Sequence, residues 1–142
     1  MLFRSGGDVA WPDTLVCVGG TATSLVAVAN RLVPYDSAFV HLHRMAHAEV
    51  GALAARLLAL SPAQRRDLPG LQPKRADVIA AGALILDELM AAGDFDAYTC
   101  SESDSLVGLL VCARAALAGE PSPLGADGWL PTLAHVSRCQ TL

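Results

Sequence analysis

Val18-Gly19-Gly20-Thr21-Ala22-Thr23 sets two glycines and two hydroxyls between a short apolar run and a helical period. That pattern suits an anion. Glycines let a ligand approach the backbone. The first N–H groups of a helix lack intrahelical partners, and the helix dipole favours negative charge beside them. Thr21 and Thr23 add hydroxyl donors. The same residues also make an ordinary tight strand–helix turn with Thr21 as plain N-cap, and one Gly-Gly turn does not decide between the two. Ser101 ends a second apolar run, at the position where parallel α/β sheets place ligands. Gly19, Gly20, Thr21, Ala22, Thr23 and Ser101 are the candidate phosphate- or nucleotide-binding residues.

Other reactive side chains are sparse. His41, His43 and His47 fall close together, and the first two would share a strand face. Apart from Glu49, no acidic or cysteine ligand stands beside them at useful spacing, so a structural or exposed role is expected. No Ser-His-Asp or Cys-His arrangement is credible by spacing, and no paired carboxylates stand out. No catalytic residue and no metal ligand is assigned. Arg75 and Asp77 begin a helix, where the acid suits the dipole, and Arg65 and Arg66 read as a solvated helix face.

Composition narrows the partners. The 142 residues carry a formal charge of −4 and one lysine, Lys74, which argues against a nucleic-acid surface. An anionic ligand would be held locally, by backbone N–H groups and a few arginines. Cys17, Cys100, Cys112 and Cys139 show no CxxC spacing, and Cys17 and Cys100, in apolar strand-like runs, read as buried reduced thiols, pointing to the cytoplasm. The longest uncharged stretch, 14–30, has glycines and hydroxyls at its centre, so no membrane span and no signal peptide is expected.

These groups need elements to position them. Leu15–Val18 reads as a strand buried on both faces, followed by a helix over Thr21–Val33 that Pro34 stops. Phe39–His43 alternates as a short strand or extended segment. A helix covers 46–60. Ser61-Pro62-Ala63-Gln64 is a capping box opening a short helix. The helix Ala76–Ala92 is apolar round most of its circumference and should be the central buried one, with Gly93 as C-cap. Ala97–Cys100 reads as the second strand. A helix over Asp104–Leu117 follows, with Ser103 or Asp104 as N-cap. Residues 1–14 are a lead-in, 15–118 the folded part, and 119–142 a Pro/Gly-rich loop and tail. Strands alternating with helices imply parallel pairing. Two strands alone make a poor sheet, so others are needed.

Four stretches in register resemble the C-terminal part of the Ppx/GppA family of exopolyphosphatases and guanosine pentaphosphate phosphohydrolases, its second-domain back half. They are Val18–Leu25, Val40–Met45, Leu68–Leu71 with Lys74–Leu86, and Ser101–Leu110. The resemblance implies a partial ribonuclease-H-like domain of the actin/hexokinase/Hsp70-like phosphotransferase fold: α/β, helix-rich, with a small parallel sheet. It implies that Gly19-Gly20-Thr21 faces the cleft, as the family's adenosine-type motif does. The family's catalytic acid, metal-binding acid and phosphate loops lie upstream and are not matched. The chain itself is therefore expected to need no cofactor, whereas a complete member uses Mg. Where the family closes with Gly-x-Leu-Arg-Glu-Gly, this chain has Ser103 to Gly108, with Leu106 and Val107 in place of the arginine and glutamate. The threonine usual before the middle helix is Ala46.

A fragment or truncated relative of a phosphohydrolase acting on polyphosphate or (p)ppGpp follows, inactive by itself. The alternative is a non-catalytic phosphate- or nucleotide-binding or oligomerisation module. The expected partners are polyphosphate or guanosine polyphosphate, with an upstream catalytic half or a homo-oligomer. The apolar faces of helices Thr21–Val33 and Asp104–Leu117 are the expected contact surfaces.

Overall fold

A computed structural model describes residues 14–121 of the chain. The expectations for the lead-in and for the tail beyond 121 lie outside the described residues. In chain order, the first elements are β1 (Leu15–Val18), α1 (Gly20–Ala29), α2 (Ser37–Val40) and β2 (Arg44–Ala46). Next come α3 (His47–Ala59), α4 (Pro62–Arg66), a 3-10 turn (Pro73–Arg75) and α5 (Ile79–Ala92). The described residues end with β3 (Ala97–Ser101) and α6 (Ser105–Ala118). The chain divides after Glu102 into two compact units.

In the first unit a three-stranded sheet has the order β1-β3-β2. The β1–β3 pair is parallel, as expected, with Leu15 beside Tyr98 and Val18 beside Ser101. β2 pairs with β3 antiparallel, so the sheet is mixed rather than parallel. The expected extended segment at Phe39–His43 is corrected. Asp36 Oδ1 accepts from the N–H groups of Ala38 and Phe39 and starts α2, and the strand comes later, at Arg44. The Asx cap wins there over the alternation of apolar residues.

Leu15 and Cys17, with Met45, Tyr98 and Cys100, share the sheet face that packs on the core. α1 lies against β1 and β3, and α5 packs between α1 and α3. Tyr98 is fully buried, and its hydroxyl donates to Ala22 O at 2.9 Å, tying β3 to the first turn of α1. A buried phenol needs such a partner. The other sheet face is open: Val16 and Val18 are 56% and 55% exposed. β1 is thus buried on one face, not both.

Two helices depart from their expected extents. α1 stops at Ala29 rather than running to Pro34; Arg31 takes φ 52° just beyond it. Residues 76–78 form turns after the 3-10 segment, so α5 begins at Ile79. α5 buries Ile79, Ala80, Ala83, Leu86 and Met90, yet Val78 before it and Leu84, Ile85 and Leu89 along it are exposed. Its apolar circumference exceeds what the unit covers. Gly93 caps α5, as expected.

Arg65 is not a solvated residue. It is half-buried, with Nε donating to Leu57 O at 2.7 Å and a terminal nitrogen to Ala76 O at 3.2 Å. It satisfies a late carbonyl of α3 and one at the approach to α5, groups that would otherwise lack partners. Arg66 is exposed and pairs with Asp77.

The second unit's described part is α6. Asp104 caps it, accepting from Leu106 N at 2.9 Å and Val107 N at 3.2 Å. Gly119, with φ 67°, closes it in the left-handed region.

Candidate functional site

The carboxyl ends of β1 and β3 stand side by side, because Val18 is the register partner of Ser101. The chain leaves β1 through Gly19, whose φ of 86° and ψ of 175° few residues but glycine adopt. α1 begins at once on Gly20, with Gly19 in the cap position and no side chain capping the turn. Thr21 is therefore not the N-cap. It lies inside the first turn and faces α5: a Cβ on Gly82 would stand 2.6 Å from Thr21 Oγ1. Ala22 is buried and offers its carbonyl to Tyr98. Thr23 Oγ1 points back to Gly20 O at 3.5 Å. Ser101 is half-buried at the end of β3.

Arg75 completes the turn. Its guanidinium lies against Gly20, so that a Cβ there would fall 1.8 Å from a terminal nitrogen and 2.1 Å from Cζ. A larger residue there would have to push the guanidinium aside. A cation beside the positive end of a helix is electrostatically unfavourable by itself. No acidic side chain occupies the first turn of α1 to offset it. The arrangement suits an anion held between the guanidinium and the first N–H groups of the helix. Sequence reasoning missed Arg75. The local reading at that helix start accounted for Asp77 alone, and no local signal links Arg75 to Gly20.

A second cluster lies beyond β3. Glu102 carries a short hydrogen bond from the Tyr35 hydroxyl. Burial, then this bond, pushes the Tyr35 phenol up to about 12, against a smaller opposing effect of Thr23. Glu102 N donates to His41 Nδ1 at 3.2 Å. The three histidines do not converge. His41 follows α2, His43 stacks on Phe39 with ring centroids 5.0 Å apart, and His47 reaches Asp87 Oδ1 at 3.0 Å on α5. Among the described residues, no group of three or more His, Cys, Asp and Glu side chains is placed to hold a metal ion.

No protein-family model matches the chain. Individual proteins do. Exopolyphosphatase 2 of Mycobacterium tuberculosis is 37% identical over 100 residues, which cover 68% of this chain and 31% of that protein. The Aquifex aeolicus member of the Ppx/GppA family superposes with a TM-score of 0.70 at 25% identity, covering 78% of this chain and 36% of that one. An exopolyphosphatase-like protein of known structure gives a TM-score of 0.67 at 28% identity, covering 73% and 35%. The chain thus spans about a third of the length of the proteins it matches.

Proposed function

Since this chain is a partial Ppx/GppA family member, similar to its relatives over about two thirds of its own length, we propose that it forms the phosphate- or nucleotide-facing wall of a cleft. The reaction served there is release of terminal phosphate from polyphosphate or (p)ppGpp. The observation that carries this reading is the Arg75 guanidinium seated on Gly20 at the start of α1. It supports anion contacts from the N–H groups of Gly20 to Ala22, with Arg75 neutralising charge and Thr23 and Ser101 lining the rim. Attack by water requires groups that we assign to an upstream catalytic half. Magnesium is held by one or two carboxylates together with water and substrate phosphates, and among the described residues no group of three or more His, Cys, Asp and Glu side chains is placed for a metal. We assign the magnesium ligands of a complete member to the upstream half as well. The free thiols of Cys17 and Cys100 accord with a cytoplasmic setting, and among the described residues no helix is long and apolar enough to cross a membrane.

Equilibrium titration with tripolyphosphate tests the wall. A hydrogen bond to a charged group contributes roughly 1.5–3 kcal/mol. Arg75→Gln should therefore weaken binding about tenfold or more. Gly20→Val should abolish it, while both variants still melt cooperatively. Unchanged affinity in both variants would sink the reading. The chain alone should release no phosphate from polyphosphate; metal-dependent turnover that survives repurification would overturn that part.

One observation favours a second reading, a binding module without catalysis. Leu106 and Val107, which replace the arginine and glutamate of the family motif, are exposed on the first turn of α6. Tripolyphosphate binding with no hydrolysis, even when the upstream half is supplied, would select it.

A further inference from the structure

Cys17 on β1 and Cys100 on β3 are register partners, and both pack on the same core cluster. Both are free thiols. Neighbouring strands lie about 4.7–4.9 Å apart, within the Cα separation of about 4.4–6.8 Å that a disulfide spans. Cys17 is half-buried and Cys100 fully buried, so a small reagent reaches Cys17 first. We propose that Cys17 and Cys100 form a cross-strand dithiol which a low-molecular-weight disulfide, such as oxidised glutathione, closes into a reversible link pinning β1 to β3.

The exchange balances. The Cys17 thiolate attacks one sulfur of the small disulfide, giving a mixed disulfide and one released thiolate. The Cys100 thiolate then attacks the Cys17 sulfur, forming the cross-strand bond and releasing the second small thiolate. The two protons lost by the protein thiols end on the two small thiols. The chain is oxidised by two electrons and the reagent is reduced by two. A link whose geometry departs from the preferred disulfide values is readily reduced, the character of a regulatory bond. Burial raises both thiols, and Glu102 and then Cys17 add to the rise at Cys100, to about 11. Closure is accordingly slow at neutral pH and quickens as pH rises.

Peptide mapping tests this on the full chain, both as it stands and with Cys112→Ser and Cys139→Ser to remove the other thiols. After native incubation with oxidised glutathione and alkylation, digestion without reductant should give a peptide joining Cys17 to Cys100. That peptide should form faster at higher pH and vanish on reduction. Hydrogen exchange across Leu15–Val18 should slow in the oxidised form. A stable glutathione adduct on Cys17 with no linked peptide, links only to Cys112 or Cys139, or exchange unchanged by oxidation would each overturn the proposal. Cys17→Ser should protect Cys100 from the reagent; modification of Cys100 at an undiminished rate would show that the assigned order of attack is wrong.

Discussion

At the scale of single residues, two positions carry sharp expectations. Gly70 holds φ 86°, and a Cβ there would meet Ala27 O at 2.2 Å and Ala27 C at 2.5 Å, backbone atoms of α1 that cannot swing aside. Gly70→Ala combines left-handed strain with overpacking, each costing roughly 1–3 kcal/mol. It should lower the urea midpoint far more than Gly108→Ala, where a Cβ meets nothing within 4 Å; equal losses would refute the close approach. The two tyrosines give a pH test. Burial and the Glu102 bond raise Tyr35 to about 12, and burial raises Tyr98 further. Both groups are more readily protonated when folded than when unfolded. Their contribution to stability is full below the ordinary value of 10.0 and is lost as pH climbs toward about 12. Phenolate absorbance of the folded chain should stay low at pH 10, where the denatured chain is half titrated. A quarter of the full two-tyrosine signal appearing at pH 10 in the folded state would show that Tyr35 is ordinary.

Helix ends decide the next scale. Glu49 reaches back to Ala46 N at 2.9 Å at the start of α3, but Ala46 has no side-chain oxygen to return the bond. Half of a capping box is present. Ala46→Thr should complete it and stabilise the chain by about 0.5–1 kcal/mol, read as a higher urea midpoint with unchanged slope. A lower midpoint would mean that the position of Ala46 at the end of β2 leaves no room for the hydroxyl. The cap at Asp104, the box at Ser61–Gln64 and the strand at Leu15–Val18 were all legible in sequence because each depends on neighbours a few residues away. The third strand was not. Arg44–Ala46 is three residues long, and its pairing with β3 is a tertiary fact that local alternation does not encode. The candidate turn at Gly19-Gly20 was legible for the same local reason, while Arg75, Glu102 and Tyr35 were not. They meet it or its neighbours only through the fold. Arg65 misled for a related cause: its sequence environment matches a solvated face, and only the approach of Leu57 and Ala76 gives it partners.

At the largest scale, apolar surface stays exposed among the described residues. α1, expected to offer a contact face, spends its own inside the unit, burying Ala22, Leu25, Val26, Ala27 and Val28. α5 offers one instead through Ile85 and Leu89, with Ile85 68% exposed, and the open sheet face adds Val16 and Val18. Exposed apolar surface of this kind marks interfaces. We propose that these surfaces are covered by an upstream half or a second copy. Light scattering at low micromolar concentration should give a mass above the monomer. Ile85→Lys with Val16→Thr should return it to the monomer and reduce binding of a hydrophobic dye. A monodisperse, cooperatively melting parent chain that binds no such dye would show the core already closed.

The placing of β1 at one margin of the sheet also bears on symmetry. Among the described residues nothing pairs with its outer edge, while β2, at the other margin, is short and has Ala46 N already engaged by Glu49. Head-to-tail joining of a β1 edge to a β2 edge is heterologous and gives a ring or, where the rotation does not close, an open filament. β1 meeting β1 across a two-fold axis is self-complementary and uses up both long edges in one step. If the described β1 edge pairs at all, a two-fold β1–β1 contact would end there and avoid the open-ended growth that an exposed strand invites.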